Sequence, residues 1–140
     1  MFGEAIVSRN PVVIPRIMSL IKQHGALLAK GRLLGLQFLT LFTDGCYMRY
    51  SQRAIDHAME LRRVMTKNGF PLFVDSPTNQ QFFVLPNTVI DRLAEAVRFE
   101  YWGPRGPEST PVRLVTSWAT SDADIATLAK MIQGLRKTAK

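Results

Sequence analysis

Arg113 is the strongest candidate for a ligand-binding side chain in this chain of 140 residues. It stands between Val112 and Leu114, in an apolar segment typical of a strand, so its cation would be held on a half-buried scaffold. A guanidinium group can donate two parallel hydrogen bonds to a carboxylate, which makes lysine a poor substitute. An arginine at an alternating strand position can also simply face solvent, and the residues alone leave both interpretations open.

Lys30 and Arg32 are the second candidates, because they lie inside a strongly apolar segment. Residues 27–42 are apolar nearly all round, which predicts one helix that is buried on more than one side. Burying an unpaired charge is costly, so each cation needs either an anionic partner or a place at the helix edge from which it reaches water. The sequence does not decide between these two roles.

The other reactive residue types form no recognisable site. His24 and His57 are far apart and match no zinc-ligand spacing with Cys46. A single cysteine excludes an internal disulfide and suits a reducing compartment, and we expect Cys46 to be buried and inert. We therefore predict no metal site and no catalytic residue in this chain.

The composition is that of an ordinary globular protein, with 46% hydrophobic and 21% charged residues. No apolar run approaches the roughly 20 residues of a membrane span, and the N-terminus lacks a signal-peptide pattern. We therefore expect no membrane partner and a cytoplasmic location, or the matrix of an organelle if a targeting segment has been lost. The net charge of +7 raises nucleic acid as a partner. The basic residues are spread along the chain without interleaved aromatic residues, which argues against that function.

The elements that would position the candidates follow an α+β order. In chain order, we predict a strand over 2–8, a helix opened by Asn10 and Pro11, and the helix over 27–42 with its stop at 43–45. A helix capped by Ser51 follows, with Ala54, Ala58, Leu61 and Met65 inward, and then strands over 71–75 and 81–85. The remaining elements are a helix capped by Asn87, strands over 98–102 and 112–117, and a helix capped by Ser121 and Asp124. This order predicts helices on one face of a small, mainly antiparallel sheet.

Three segments also resemble those of a known family: Gly25-Ala26-Leu27-Leu28-Ala29-Lys30-Gly31-Arg32-Leu33-Leu34-Gly35, Ser76-Pro77-Thr78-Asn79-Gln80-Gln81-Phe82 and Val112-Arg113-Leu114-Val115-Thr116-Ser117-Trp118-Ala119-Thr120. Together they resemble the C-terminal part of the low-specificity threonine aldolases, pyridoxal-phosphate (PLP) enzymes of the β-eliminating lyase superfamily. The resemblance runs from about residue 2 to about residue 128. It implies the tail of the large domain and connecting interface helices over 1–45, and the small C-terminal domain of a fold-type-I PLP enzyme, within the α/β PLP-dependent transferase superfamily, over 46–140.

The resemblance also implies an activity, the cleavage of β-hydroxy-α-amino acids to glycine and an aldehyde. In the family, the arginine that matches Arg113 forms a forked pair with the substrate α-carboxylate. More loosely, the resemblance implies that a basic residue here, Lys30 or Arg32, reaches the cofactor phosphate, and it leaves open which of the two does so. The family's cofactor-binding lysine precedes the segment that matches residues 2–7, where this chain has Met1. The resemblance therefore implies a chain that binds no PLP by itself and is inactive alone.

We thus expect a C-terminal fragment of a lyase whose substrate is an amino acid. Its expected partners are an N-terminal PLP-binding half and further copies of the fragment itself. The alternative is a non-catalytic interaction module that kept the fold and binds a partner through its apolar helix. Whether this chain is itself an enzyme, and whether the intact reaction is aldol cleavage or β-elimination, stays open at this stage.

Overall fold

The computed structural model describes residues 6–10, 12 and 15–138, with side chains described up to residue 135. The chain divides into two compact units, Met1–Tyr47 and Met48–Lys140. Each unit has its own secondary structure, and the candidate residues are divided between them.

The first unit contains helix α1 (Ile17–Gln23) and helix α2 (Arg32–Phe42), followed by a 3₁₀ turn at Thr43–Gly45. Gly45 has a left-handed φ of 65°, so the predicted stop at 43–45 is confirmed. The predicted start of α2 at Leu27 is wrong, because residues 29–31 form a turn and place Lys30 outside the helix. Glycine is a poor helix former, and Gly31 stands at the N-cap of α2.

Two predictions nearer the N-terminus are also wrong in the described residues. Asn10 does not open a helix: its Oδ1 accepts a hydrogen bond from the backbone N–H of Val12 at 3.0 Å, and α1 begins only at Ile17. This local bond gives the backbone an alternative to helical pairing. Residues 6–8 form no strand, and the remaining part of that prediction, with Pro11, lies outside the described residues.

Helix α2 has no residue that is buried within the chain. The rest of the described chain therefore does not cover this helix, and its burial against further copies of the chain stays a prediction. Four large apolar side chains along it are between 44% and 65% exposed, namely Leu33, Leu36, Leu39 and Phe42. We call these four side chains the α2 apolar surface. The apolar residues between them are half-buried, namely Leu34, Phe38 and Leu41.

Helix α3 (Cys46–Lys67) starts earlier than the predicted cap at Ser51, which lies inside it. The 3₁₀ turn ends directly before Cys46, and Cys46 already has the helical angles φ −57° and ψ −45°, so the helix begins there. Its predicted inner face is confirmed by the burial of Ala54, Ala58, Leu61 and Met65. Cys46 itself is half-buried rather than buried.

The sheet of the second unit has four antiparallel strands in the order β1-β2-β4-β3. They are β1 (Leu72–Val74), β2 (Gln80–Pro86), β3 (Glu100–Tyr101) and β4 (Ser109–Val115). Burial alternates along β2 and β4, so one face of the sheet belongs to the core and the other does not. The predicted last strand is confirmed, although it begins at Ser109 and ends at Val115 rather than covering 112–117.

Helices α4 (Asn87–Leu93) and α5 (Asp122–Thr138) complete the second unit. The core joins side chains of α3, α4 and α5 to the buried face of the sheet, among them Leu61, Met65, Phe83, Leu85, Ile90, Leu93, Val112, Leu114 and Ile132. The predicted α+β class, with helices on one face of a small antiparallel sheet, is confirmed.

The predicted caps of α4 and α5 differ in outcome. At α5 the Asp124 N–H donates to Ser121 Oγ at 3.2 Å and the Ser121 N–H donates to Asp124 Oδ2 at 2.9 Å, which confirms the reciprocal cap. Asn87 does not cap α4. Its Oδ1 accepts a bond from Thr110 Oγ1 at 2.7 Å and its Nδ2 donates to the Gly106 carbonyl at 2.9 Å, so it holds the loop before β4 in place.

Candidate functional site

Arg113 lies on the open face of the sheet, opposite the helices. Its neighbours in β4, Val112 and Leu114, are both buried in the core, so the alternation of the strand turns Arg113 the other way. Phe82 on β2 and Glu100 on β3 are its partners in register. Directly opposed residues of antiparallel strands share a face, so these three side chains emerge on the same side.

Two contacts hold the guanidinium of Arg113. Nη1 donates a hydrogen bond to Oε1 of Gln80 at 3.2 Å. Cζ lies 5.2 Å from the centre of the Trp102 ring, within the range of a cation–π interaction. The Trp102 ring meets Phe82 edge to face, with ring centres 4.9 Å apart. Arginine, tryptophan and phenylalanine therefore form one packed group, supported by the amide of Gln80.

The guanidinium retains hydrogen-bonding capacity that its own chain does not use. An arginine has five N–H donors, and Gln80 accepts from one nitrogen. Nε is buried and has no partner within the part of the chain that the structure describes. Leaving a buried donor unpaired costs about 1–3 kcal/mol, which a bound acceptor would recover. The geometry therefore suits an anionic ligand with two oxygens.

Two residues of this group were not singled out for that role by the sequence. Gln80 lies just before the strand predicted over 81–85, yet it is the first residue of β2. Asn79, next to it, holds the backbone through a bond from Nδ2 to the Thr116 carbonyl at 2.7 Å. Trp102 gave no sequence signal, because its position beside Arg113 depends on β3 lying next to β4 in the sheet.

Lys30 and Arg32 lie at the start of α2, in the first unit. Both are exposed, Lys30 in the preceding turn and Arg32 as the first helical residue. The N-terminus of α2 has no side-chain cap and no acidic residue in its first turn. Unpaired N–H groups and the helix dipole favour an anion at such a place.

The remaining candidate residue types make structural contacts. His57 is buried, and its Nε2 lies 2.9 Å from Oδ1 of Asp122 at the start of α5. Within the described residues, no group of three or more His, Cys, Asp or Glu side chains is arranged to hold a metal ion. Among the same residues, no helix combines the length and the apolarity that crossing a membrane requires.

The chain is similar to a solved structure, that of Leishmania major threonine aldolase, with 33% sequence identity and a TM-score of 0.83. The match covers 87% of this chain and 36% of the Leishmania chain, so this chain spans about a third of the length of the structure it matches. No protein-family model and no curated protein matches it. Over the matched region the chain is threonine aldolase-like in both sequence and fold, the fold being that of the fold-type-I enzymes that use PLP.

Proposed function

We propose that this chain supplies the substrate-carboxylate site and part of the subunit interface of a PLP-dependent lyase. The reaction is the cleavage of β-hydroxy-α-amino acids to glycine and an aldehyde. The observation that carries the proposal is the guanidinium of Arg113, held by Trp102 and Gln80 on the open face of the sheet with Nε unpaired. It occurs in a chain 33% identical to a threonine aldolase.

The α-carboxylate of an amino acid is the group that Arg113 fits best. Its two oxygens can accept parallel hydrogen bonds from one edge of the guanidinium, and each charged bond contributes roughly 1.5–3 kcal/mol. Glu100, although it is opposite in register, makes no ion pair with Arg113 in the described structure. Arg113 would therefore bind the carboxylate and fix the orientation of the substrate Cα before a bond to it breaks.

The residues at the start of α2 fit one part of the cofactor, its phosphate. Lys30, Arg32 and the uncapped N–H groups of α2 provide the cations and donors that a phosphate needs. When bound, PLP supplies an electron sink for the carbanion that bond cleavage leaves. We assign the cofactor-binding lysine and the partner of the pyridine nitrogen to an N-terminal half of the enzyme. On this proposal the present chain alone binds no PLP and is inactive.

The α2 apolar surface supports the second part of the proposal, a homo-oligomer. Four large side chains of one helix are between 44% and 65% exposed. An extended exposed apolar surface is rare on a soluble monomer and marks an interaction site. We propose that copies of this chain associate through it, in the cytoplasm.

Reconstitution tests the function directly. The chain is mixed with the N-terminal part of a threonine aldolase and PLP, and aldehyde release from threonine is measured. We expect activity from the mixture and none from the chain alone. Arg113→Lys should reduce activity at low threonine, whereas the matched control Arg98→Lys, at an exposed position outside the site, should not. An active mixture in which Arg113→Lys behaves like the parent would disprove the carboxylate role.

The α2 apolar surface also favours a second candidate, a non-catalytic module that binds another protein through this helix. The two functions differ in what Arg113 does. A module needs no carboxylate site. A mixture in which the two chains bind each other tightly but release no aldehyde, whether this chain carries Arg113 or Arg113→Lys, would therefore favour the module.

A further inference from the structure

The guanidinium of Arg113 is held on two sides, by the ring of Trp102 and by the amide of Gln80. We propose that Trp102 and Gln80 are positioning residues, which fix the guanidinium so that its Nε–Nη2 edge receives the carboxylate. This inference rests on the carboxylate role proposed for Arg113, and it adds which edge binds and which residues select that edge.

The choice of edge follows from the hydrogen bond to Gln80. A guanidinium can bind a carboxylate through its two terminal nitrogens or through Nε and one terminal nitrogen, in both cases by two parallel bonds. In Arg113, Nη1 already donates to Oε1 of Gln80, and this occupies one nitrogen of the terminal edge. Nε has no partner among the described residues. The edge that remains for a bidentate ligand is therefore the one formed by Nε and Nη2.

Trp102 supports the guanidinium from one side. Its ring lies under Cζ at 5.2 Å and is itself held edge to face by Phe82. The backbone of Trp102 is fixed as well, because its N–H donates to the Pro111 carbonyl of β4 at 2.8 Å. The tryptophan is thus anchored to the strand that carries Arg113, so the two side chains keep a constant spacing.

Gln80 is anchored in a comparable way. The turn before it is held by the buried Gln81, whose Nε2 donates to the carbonyls of Ser76 at 3.0 Å and Thr78 at 2.7 Å. Asn79 ties the same turn to the Thr116 carbonyl beyond β4. Both tethers of the guanidinium therefore belong to the framework of the sheet, and an arginine with many rotamers is ordered before its ligand arrives.

The first test measures the geometry without activity. The Nε–H resonance of Arg113 is recorded in the arginine-labelled chain and assigned by its loss in Arg113→Lys. A ring current from Trp102 should displace this resonance, and Trp102→Leu should remove the displacement. The matched control Trp118→Leu, at an exposed tryptophan outside the group, should leave the resonance in place. A resonance that does not respond to Trp102→Leu would overturn the proposal.

The second test measures the consequence in the reconstituted enzyme. Trp102→Leu and Gln80→Ala should each raise KM for threonine by about 3- to 30-fold with little change in kcat, the range that a partly desolvated cation–π contact or one hydrogen bond provides. Trp102→Phe should restore most of the affinity, because it keeps an aromatic face. Thermal unfolding of each variant shows whether the fold is kept. If Trp102→Leu or Gln80→Ala has lost the fold, the KM of Trp102→Phe alone decides whether the positioning role holds.

The outcomes separate this inference from the proposed function. If Arg113→Lys raises KM but Trp102→Leu and Gln80→Ala raise it no more than Trp118→Leu, the positioning role is wrong and the carboxylate role stands. If Arg113→Lys leaves KM unchanged in an active mixture, the proposed function itself has failed. Higher KM values for both positioning variants, with rescue by Trp102→Phe, support the proposal.

Discussion

His57 and Asp122 join two helices of the second unit, with Nε2 of the imidazole 2.9 Å from Oδ1 of the carboxylate. His57 is buried in α3, whereas Asp122 is the first residue of α5 and is exposed. The hydrogen bond from His57, assisted by the attraction between the two groups, lowers the pKa of Asp122 below its usual value of 3.8. A carboxylate at the first turn of a helix also interacts favourably with the helix dipole.

The lowered pKa predicts how stability depends on pH. A carboxyl group whose pKa is lower in the folded than in the unfolded chain stabilises the fold while it is ionised. This contribution is complete above the unfolded value and is lost as the pH falls through the folded pKa, so the window lies below about pH 4. We expect urea midpoints to fall less steeply with acid in Asp122→Asn than in the parent. Asp56→Asn, at an exposed position on α3, is the control, and an equal effect of both would contradict the prediction.

Arg113→Lys should raise KM for threonine in the reconstituted enzyme by roughly 10- to 100-fold. The charge remains but the forked pair is lost, and one charged hydrogen bond contributes roughly 1.5–3 kcal/mol. The fold should change little, because Arg113 lies on the open face and outside the core. Steady-state kinetics and a thermal melt of the same variant check the two halves of this prediction. A melt that shifts as strongly as KM would indicate a structural role instead.

The chain alone should form no stoichiometric PLP adduct. In the proposal the cofactor lysine belongs to the other half of the enzyme, while Lys30 and Arg32 contact only the phosphate. Borohydride reduction of a mixture with PLP, followed by peptide mapping, measures this. A single lysine of this chain modified in full would show that the assignment is wrong.

Leu39→Asp should lower the assembly state of the chain. Leu39 is 65% exposed on α2, so a charge there would oppose burial of the α2 apolar surface between copies. Leu20→Asp is a matched control, because Leu20 is a 49% exposed leucine on α1. Light scattering should report a dimer or larger for the parent and the control, and a smaller species for Leu39→Asp. A parent that stays monomeric at high concentration would refute the interface.

Gly106→Ala should destabilise the second unit by about 1–3 kcal/mol. A Cβ at this position would clash with the backbone carbonyl oxygen of Ser109, which cannot move as a flexible side chain could. The loop there is also fixed by Asn87. Gly134→Ala is the opposite case: it lies inside α5, nothing stands near its added Cβ, and alanine should stabilise the helix by up to about 1 kcal/mol. Denaturant unfolding of both variants measures the contrast.

Local patterns in the sequence predicted most of the second unit. The spacing of Ala54, Ala58, Leu61 and Met65 identified the inner face of α3, and the cap of α5 needed only Ser121 and Asp124. Alternating residues located the longer strands. Such signals succeed because the physical interactions behind them involve residues that are close in sequence.

The errors and omissions have a different origin. Apolar residues from Leu27 onward suggested an earlier start for α2, but residues 29–31 form a turn and the helix begins only at Arg32. Asn87 has the chemistry of a cap and instead bonds to Gly106 and Thr110, which are distant in sequence. The contact between Trp102 and Arg113 depends in the same way on the order of the strands. No local pattern contains that information.

The sheet has short strands at both of its edges. β1 has 3 residues and β3 has 2, while the 7-residue strands β2 and β4 lie inside. Long exposed edges act as templates on which strands of other chains add, and short edges suppress this route to aggregation. Association of this chain by strand addition is therefore disfavoured, and a fibrillar product is not the expected fate of concentrated solutions. Side-chain packing between helices is the route that the architecture leaves for ordered assembly.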